Sequence, residues 1–299
     1  GTWLQRFVHY GGPMHISELW RYPAKSMLGQ QYGAVRVGPL GIEQDRQWAV
    51  RDEQRGAIVG AKKIGELMNL EARFVDRQAR PGINHIEITL PDGTTVCSDD
   101  ADIDARVSQA LGRPVTLWPL QDDRDHYRRA APDSDDFDSE LRSIFGLTKD
   151  EPFPDLSIFP AEIIEFESPP GTYYDVHPLT LISTGSLDSL RALLPDSELD
   201  WRRFRPSMVI DLPATDDNPW PELALCSKTV QIGDEVLIDI LPDAVPRCVM
   251  VTRQVAELPQ DRGIMRTLVR EAAHSLGIYA TIRRGGTVNV GDEVRVLDD

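Results

Sequence analysis

The stretch YGAVRVGPLGIEQDRQWAVRD, residues 32–52, decides the fold class. Two runs of β-forming residues flank a Gly-Pro-Leu-Gly turn, which is the pattern of two short, tightly joined strands. The pattern recurs on both sides. Before it, HISELWRYPAKS alternates in the manner of a strand and then turns at Pro23. After it, HIEITLPDGTTVCS predicts a hairpin around residues 91–93. Short strands punctuated by glycine and proline indicate a small β-barrel or a sandwich.

The rest of the chain adds a few helices to this strand-rich pattern. ADIDARVSQALGR predicts a short helix ended by Gly112, and PLTLISTGSLDSLRALLP predicts a strand followed by a helix. SMVIDLP, KTVQIGDEVLIDIL and RCVMVT predict strands, and GTVNVGDEVRVLDD predicts a closing strand pair. DRGIMRTLVREAAHSLG predicts an amphipathic helix with one apolar face, formed by Ile264, Leu268, Ala272 and Leu276. The predicted fold class is β-rich α+β.

The chain length of 299 residues is enough for about two domains. A polar, acidic tract, QDDRDHYRRAAPDSDDFDSE, separates the two halves and is followed by a predicted short helix near SELRSIFG. We therefore predict an N-terminal domain at 14–125, an acidic connecting segment at 126–157 and a second domain at 158–299. Met14 directly precedes the first strand, so we expect residues 1–13 to be foreign to the natural chain.

Composition narrows the classes of partner. The chain carries 48 acidic against 32 basic residues, for a net charge of −16, which repels nucleic acid and anionic membrane surfaces. Three cysteines without a C-x-x-C pair favour a reducing compartment. The sequence has no apolar run of membrane-spanning length and no signal-peptide pattern. We expect a cytoplasmic protein that binds neither nucleic acid nor membrane.

Two short motifs place a cation beside turn chemistry. In YPAKSMLG, Lys25 and Ser26 follow a Tyr-Pro turn, and an ammonium beside a hydroxyl can hold a phosphate oxygen. A solvated lysine in a β-turn is the alternative. In GIEQDRQWAV, Asp45 and Arg46 precede a strand, where a local ion pair is the alternative.

Three further candidates lie in the second half. Arg205, in DWRRFRPSMVI, could present its guanidinium to a phosphate, or it could belong to an ordinary basic patch. Cys248 follows Arg247, but neighbours on a strand point to opposite faces, so this arginine need not activate the thiol. A free thiol is only about 3% thiolate at pH 7, and a buried, inert cysteine is the alternative. His177, in YYDVHPLT, could also be a core or turn histidine.

In this order the motifs resemble those of the MOSC family, named for the C-terminal domain of molybdenum cofactor sulfurases, which includes the mitochondrial amidoxime-reducing component and bacterial relatives. YPAKSMLG resembles Y-P-x-K-S-x-x-G, and GIEQDRQWAV resembles G-x-x-x-D-R-x-W. RFRPSMVI is similar to R-F-R-P-N-[IV]-V, PRCVMVT to x-R-C-x-x-x-T, and GTVNVGDEV to G-T-[IV]-x-V-G-D-x-V. The resemblance runs from about Ile16 to Val296.

The resemblance implies an N-terminal MOSC β-barrel domain packed against a β-barrel-like MOSC domain, with a molybdenum-molybdopterin cofactor between them. It implies that Cys248 ligates molybdenum, where the metal would stabilise the thiolate. It also implies a set of residues that contact the cofactor: Lys25, Ser26, Arg46, His177, Arg205 and Ser207. Two of these depart from the family, because Ser207 replaces an asparagine and His177 lies where the amidoxime reducers carry a Thr-Ser pair.

The leading functional hypothesis is a molybdoenzyme that reduces N-hydroxylated or N-oxide-type small molecules. The chain has no cysteines for an appended ferredoxin domain, so the hypothesis expects a separate electron-donor protein. Three alternatives remain open: a sulfur carrier or sulfurtransferase that uses a Cys248 persulfide, a non-catalytic cofactor carrier, and a relic that no longer binds cofactor.

Overall fold

The computed structural model describes residues 12–132 and 136–297. Residues 1–11, part of the segment expected to be foreign, lie outside the described residues. In the described ranges, the strands of the first half are β1 (Met14–Arg21), β2 (Gln30–Tyr32), β3 (Ala34–Gly38), β4 (Gly41–Ile42), β5 (Trp48–Asp52), β6 (Ala57–Val59), β7 (Glu71–Arg80), β8 (Ile83–Thr89), β9 (Thr95–Cys97) and β10 (Val115–Pro119). Those of the second half are β11 (Leu179–Ser183), β12 (Met208–Asp211), β13 (Thr229–Ile232), β14 (Val236–Pro246), β15 (Ser275–Arg284), β16 (Gly286–Asn289) and β17 (Glu293–Leu297).

Short helices connect these strands. They are α1 (Ile103–Leu111), α2 (Phe137–Phe145), α3 (Glu162–Glu165), α4 (Thr184–Leu193), α5 (Trp201–Phe204) and α6 (Gly263–Glu271). Gly112 ends α1 in the left-handed conformation, and the Ser183 and Asp200 side chains cap the N-termini of α4 and α5. Within the described ranges, no helix combines the length and the apolar character needed to cross a bilayer.

A closed seven-strand barrel forms the centre of the second half. Its order is β12-β11-β15-β14-β13-β17-β1, and β1 pairs back onto β12, with His15 opposite Asp211 and Leu19 opposite Met208. A bulge between Ile16 and Glu18 bends β1 at this closure. The first strand of the chain therefore completes a barrel that is otherwise made from residues 179–297.

The remaining strands of the first half form small sheets around a separate core. β5 pairs with β6 and β10, and β8 pairs with β7 and β9. Their apolar faces enclose one core, which also contains Met250, Val255 and Leu258 from the second half. A third sheet, β16-β3-β4, contributes to the barrel core. Strands and core residues are thus exchanged between the two halves.

The β-rich fold class is confirmed, as are most of its predicted elements. The hairpin around residues 91–93 appears as β8 and β9, with Gly93 at φ +83°. The helix predicted near SELRSIFG appears as α2. The two closing strands are present, but they do not pair with each other, because β16 pairs with β3 whereas β17 pairs with β13 and β1.

The prediction that RCVMVT is a strand was wrong. Residues Val249–Thr252 form a 3-10 turn, in which the Val251 N–H donates to the Cys248 carbonyl at 3.2 Å. Met250 packs into the first core and Val251 into the core around α4 and α6. A short apolar run that is buried on all sides has no periodicity to distinguish a strand from a buried turn.

The helix predicted from DRGIMRTLVREAAHSLG ends earlier than expected. α6 stops at Glu271, and Ala273 and His274 take positive φ values of 46° and 68°. Leu276, predicted on the apolar helix face, lies in β15. It is buried in the same cluster as Ile264 and Leu268, so the apolar spacing reflected a shared core rather than one helix.

Candidate functional site

A cavity of about 730 Å³ lies between the first-half sheets, the barrel and the segment 129–165. It collects six of the seven residues proposed for a site from sequence: Lys25, Ser26, Arg46, His177, Arg205 and Cys248. Three of them come from the first half and three from the second, so the chain must fold to bring them together. Its volume lies in the range of small-molecule and cofactor pockets.

Lys25 and Ser26 occupy the turn after β1. The Lys25 side chain is buried, and its Nζ donates to Asp175 Oδ1 at 2.6 Å and to the Tyr173 carbonyl at 3.3 Å. Burial lowers the pKa of Lys25, and the Asp175 carboxylate opposes this effect. Ser26 Oγ accepts the N–H of Ala61 at 2.8 Å. The ammonium is thus held in place from several sides at the cavity wall.

Arg46 and Arg205 contact the same aromatic ring. Their guanidinium carbons lie 4.8 Å and 4.2 Å from the centroid of Tyr22. Asp45 accepts the Tyr22 N–H at 2.7 Å and also pairs with Arg46. Although burial lowers the pKa of Arg46, the Asp45 carboxylate raises it, and the net direction is upward.

Arg205 has an unsatisfied donor. Its Nη1 donates to the carbonyl of Met27, whereas Nη2 is buried without a hydrogen-bond partner among the described residues. Burial lowers the pKa of Arg205 to about 10, so the side chain remains a cation at neutral pH. A buried guanidinium nitrogen without an acceptor is costly, and an anionic ligand would satisfy it.

Cys248 follows β14 and begins the 3-10 turn at 249–252. Beside it, Arg247 donates through Nε to the Leu276 carbonyl at 2.8 Å and through Nη1 to the Phe204 carbonyl at 2.9 Å. Its Nη2, like that of Arg205, is buried and finds no acceptor in the described part of the chain. Burial raises the pKa of the Cys248 thiol, and Lys62 opposes this effect. Without a metal the sulfur is therefore a thiol at neutral pH.

The two residues that depart from the family pattern lie in different places. His177 lines the cavity, with its ring 4.8 Å from that of Tyr279, and burial lowers its pKa. Ser207 lies outside the cavity lining. It is buried, and its Oγ accepts the N–H of Thr180, which is itself a lining residue. A cofactor contact for Ser207 stays a prediction from the resemblance.

Comparison with known protein families matches both halves of the chain. Residues 14–127 match the MOSC N-terminal beta barrel domain, and residues 170–295 match the MOSC domain. The chain is a MOSC-domain protein. The segment between the two matches contains α2 and α3, which line the cavity together with both matched regions.

Relatives of this MOSC protein are distant. Mitochondrial amidoxime reducing component 2 of Bos taurus is 24% identical over 307 residues, covering 93% of this chain and 82% of its own. The YUAD protein of Bacillus subtilis is 10% identical, with a TM-score of 0.43 and coverage of 95% and 96% of the two chains. YiiM of Geobacillus stearothermophilus is 10% identical, with a TM-score of 0.29 and coverage of 41% and 55%.

Three charged residues of the MOSC site escaped the sequence reasoning. Lys62 lies 3.8 Å from Asp175 Oδ2, so this carboxylate lies between two lysines, Lys25 and Lys62. Although burial raises the pKa of Asp175, the two ammonium groups lower it well below its usual range. Arg247 was set aside because a strand was expected at this point. The available signal for Lys62 was the pair Lys62-Lys63 after Gly60, in a chain that is otherwise acidic.

The donor set of this MOSC protein fits a phosphorylated pterin cofactor. Two buried guanidinium groups, on Arg205 and Arg247, each present a nitrogen that lacks an acceptor within the described residues. Lys25, Lys62 and Arg46 add positive charge to the same cavity. The Cys248 thiol is a soft ligand of the type that a dithiolene-bound metal accepts. A ligand without an acceptor group would leave the Arg205 and Arg247 nitrogens unsatisfied.

Proposed function

We propose that this protein binds a molybdenum cofactor in the cavity and reduces N-hydroxylated or N-oxide-type small molecules. The observation that carries the proposal is the meeting, in one cavity, of the Cys248 thiol with the unpartnered guanidinium nitrogens of Arg205 and Arg247. The name of the bovine relative, an amidoxime reducing component, supports the substrate class.

Each residue has a defined part in the proposed site. Arg205, Arg46 and Lys25 would hold the cofactor phosphate or pterin, and Ser26 would keep the turn that carries Lys25 in place. Cys248 would ligate the metal, and loss of the thiol proton would accompany binding. When bound, the cofactor would supply two-electron oxygen-atom-transfer chemistry. The protein would bind, orient and tune it.

The overall reaction fixes what else the protein requires. Reduction of an N–OH group to N–H consumes two electrons and two protons and releases one water. We propose that the electrons come from a separate donor protein. The His177 imidazole, whose pKa burial lowers, is predominantly neutral at pH 7 and can exchange protons with water in the cavity.

The partial burial of Cys248 disfavours the sulfur-carrier alternative. A persulfide carrier needs a thiolate nucleophile, whereas burial raises the pKa of this thiol. A sulfur carrier also has no need for the cations that surround the cavity.

Metal and pterin analysis of protein expressed with cofactor supply tests the proposal. We expect near-stoichiometric molybdenum and pterin in the wild type, altered metal coordination in Cys248→Ala, and loss of total cofactor in Arg205→Ala. Cys226→Ala is the matched control, because this cysteine is also partly buried but lies outside the cavity. Absence of molybdenum and pterin, with Cys248 readily persulfidated, would overturn the proposal.

Turnover separates an enzyme from a cofactor carrier. The loaded protein is given an artificial electron donor and an aryl amidoxime, and amidine formation is followed. We expect turnover that Cys248→Ala abolishes. If the fully loaded protein reduces no N-hydroxylated compound, the protein is a non-catalytic cofactor carrier.

A further inference from the structure

One wall of the cavity is apolar and is built by the segment between the two family matches. Its lining side chains include Phe137, Leu141 and Ile144 from α2, and Leu156, Phe159 and Ile164 from the chain that follows. These residues face the same cavity as the cationic cluster and Cys248. The cavity therefore has a cationic side and an apolar side.

The apolar wall exposes side chains that ordinary folding would bury. Phe137 is 67% exposed, Ile164 is 80% exposed and Leu156 is 37% exposed. Across the described residues only four other large hydrophobic side chains are exposed, Leu40, Trp118, Leu193 and Val290, and none of these lines the cavity. Exposed apolar side chains gathered at a cavity mark a binding surface rather than scattered surface residues.

The charged groups of this wall are already compensated. Glu140 pairs with Lys63 at 2.6 Å, and Glu165 pairs with Arg128 at 2.6 Å. Glu167 pairs with Arg129. A ligand at this wall thus meets apolar surface and internally paired charge, which favours an uncharged apolar group over an ionic one.

The wall is fixed to both halves of the molecule. The Lys63–Glu140 pair ties α2 to the first half. On the other side, Arg266 of α6 pairs with Glu151 at 2.6 Å and donates to the carbonyl of Gly146. Contacts to both halves make the wall a preformed part of the pocket, and a preformed surface reduces the ordering cost of binding.

We infer that this wall is a subsite for the apolar body of the substrate, an aryl or alkyl group of at least several carbons. The N-hydroxylated end of the same molecule then faces the cationic side, where Cys248 lies. This inference rests on the proposed function, because it names the substrate class of that site. It assigns selectivity for large, uncharged, apolar compounds to the segment 137–164.

Calorimetric titration of the purified protein with straight-chain alkyl amidoximes of increasing length tests the subsite. Each added methylene buried against the wall is expected to tighten Kd about fourfold until the wall is covered. In the double variant Phe137→Ser/Ile164→Ser we expect less than twofold per methylene. Both positions are exposed, so the variant is expected to fold, and an unchanged circular dichroism spectrum and melting temperature check this.

Leu40→Ser is the matched control, because Leu40 is 66% exposed and lies outside the cavity lining. It should retain the wild-type dependence on chain length. A terminal carboxylate or ammonium on the longest alkyl chain should weaken binding at least tenfold. Equal affinity across the alkyl series, or the same slope in the double variant as in the wild type, overturns the inference.

The outcomes distinguish this inference from the proposed function. Primary alkyl amides of the same chain lengths, which are uncharged at neutral pH, are titrated into cofactor-free protein to report the wall. If Kd in this titration depends on chain length but the protein shows neither molybdenum nor turnover, the subsite is supported and the proposed reaction is contradicted. If turnover occurs with a kcat/KM that does not depend on chain length, the reaction is supported and the subsite is contradicted. If sedimentation instead shows that the double variant disrupts a dimer while the length dependence is unchanged, the wall is an interface between two copies.

Discussion

At Ser26, Arg46 and Arg205 the backbone takes a conformation that side chains normally avoid. Their φ values are +64°, +49° and +53°. A non-glycine residue in this region carries a cost of roughly 1–2 kcal/mol, and such residues concentrate at functional sites. The three positions lie on different segments but line one cavity. The strain is offset by contacts elsewhere in the fold, and it fixes where these side chains point.

Ser26 offers a direct test of this strain. Ser26→Gly and Ser26→Ala both remove the hydroxyl that accepts the Ala61 N–H, and they differ only in the cost of positive φ. We expect the glycine variant to be about 1 kcal/mol more stable to urea unfolding than the alanine variant. At Ser143, an exposed helical residue of α2, the order should reverse. Equal stability of the two Ser26 variants would show that the backbone there is unstrained.

Asp175 links stability to pH through the two lysines beside it. Since Lys25 and Lys62 lower its pKa in the folded state, the stabilisation is fully present above the unfolded pKa of about 4 and is lost as pH falls below it. The carboxylate is 41% exposed to the cavity, so solvent screening reduces the effect. We expect Asp175→Asn to cost about 1–3 kcal/mol at pH 7, because Lys25 loses its countercharge.

The pH series supplies the check on Asp175. Urea unfolding of wild type and Asp175→Asn should differ by a constant amount from pH 7 to about pH 5. The difference should shrink as pH falls below 4. Asp188→Asn removes a solvent-exposed pair with Arg191 and should change little at any pH. A difference that grows on acidification would contradict the proposed ion pairing.

At the scale of single elements, the 3-10 turn after Cys248 connects two cores. Met250 is buried in the core of the first half. We expect Met250→Ala to cost about 2–4 kcal/mol in urea unfolding and also to reduce cofactor retention, since the turn begins at the thiol. Met265→Ala, buried in the core around α6, should cost a similar amount without affecting retention. If both variants retained the cofactor equally, the 3-10 turn would have no part in holding the cofactor.

Sequence patterns predicted elements well where a turn or cap has its own chemistry. Gly112 marked the end of α1, and the Pro-Asp-Gly sequence at 91–93 marked a hairpin. Sequence patterns failed at residues 249–252, because a segment that is buried on all sides has no alternation of apolar and polar residues. They also failed at the end of α6, where the apolar spacing continued into β15 because Leu276 shares a core with the helix. Local patterns do not report which element fills a shared core.

At the scale of the whole molecule, the ordered motifs identified the family and the residues that converge on one cavity. The sequence did not show that β1 closes the seven-strand barrel, because strand pairing across almost the full chain leaves no local signal. The role of Arg247 was hidden because a strand was predicted at this point, and that of Lys62 because its partner is distant in the sequence. Lys62 meets Asp175 only through the tertiary fold.

Because β1 pairs with strands of the second half, we expect that residues 158–299 do not fold on their own. A fragment of residues 158–297 lacks β1 and leaves β12 and β17 as open barrel edges. We expect this fragment to form soluble aggregates in size-exclusion chromatography with light scattering. Fusing the β1 sequence after β17 through a short Gly/Ser linker should increase the monomer fraction.

A control variant tests whether the higher monomer fraction depends on the apolar side chains of the fused β1. The fused strand carrying Ile16→Asp and Leu19→Asp keeps its length but loses two of the three side chains that it places in the barrel core. It should aggregate like the fragment without a fused strand. A monomeric 158–297 fragment with a cooperative thermal transition would show that the barrel closes without β1.

The position of β1 also constrains the timing of biosynthesis. Its partners, β12 and β17, are synthesised late, and Met14 pairs with Val294 almost at the other end of the chain. At the usual rates of translation the first strand waits on the order of tens of seconds for its last partner. Until then β1 can pair only with β2, and its apolar face meets only the neighbouring residues Val35, Val37 and Ile42. The barrel can close only once β17 has left the ribosome, so the complete cavity forms late in the synthesis of residues 14–297.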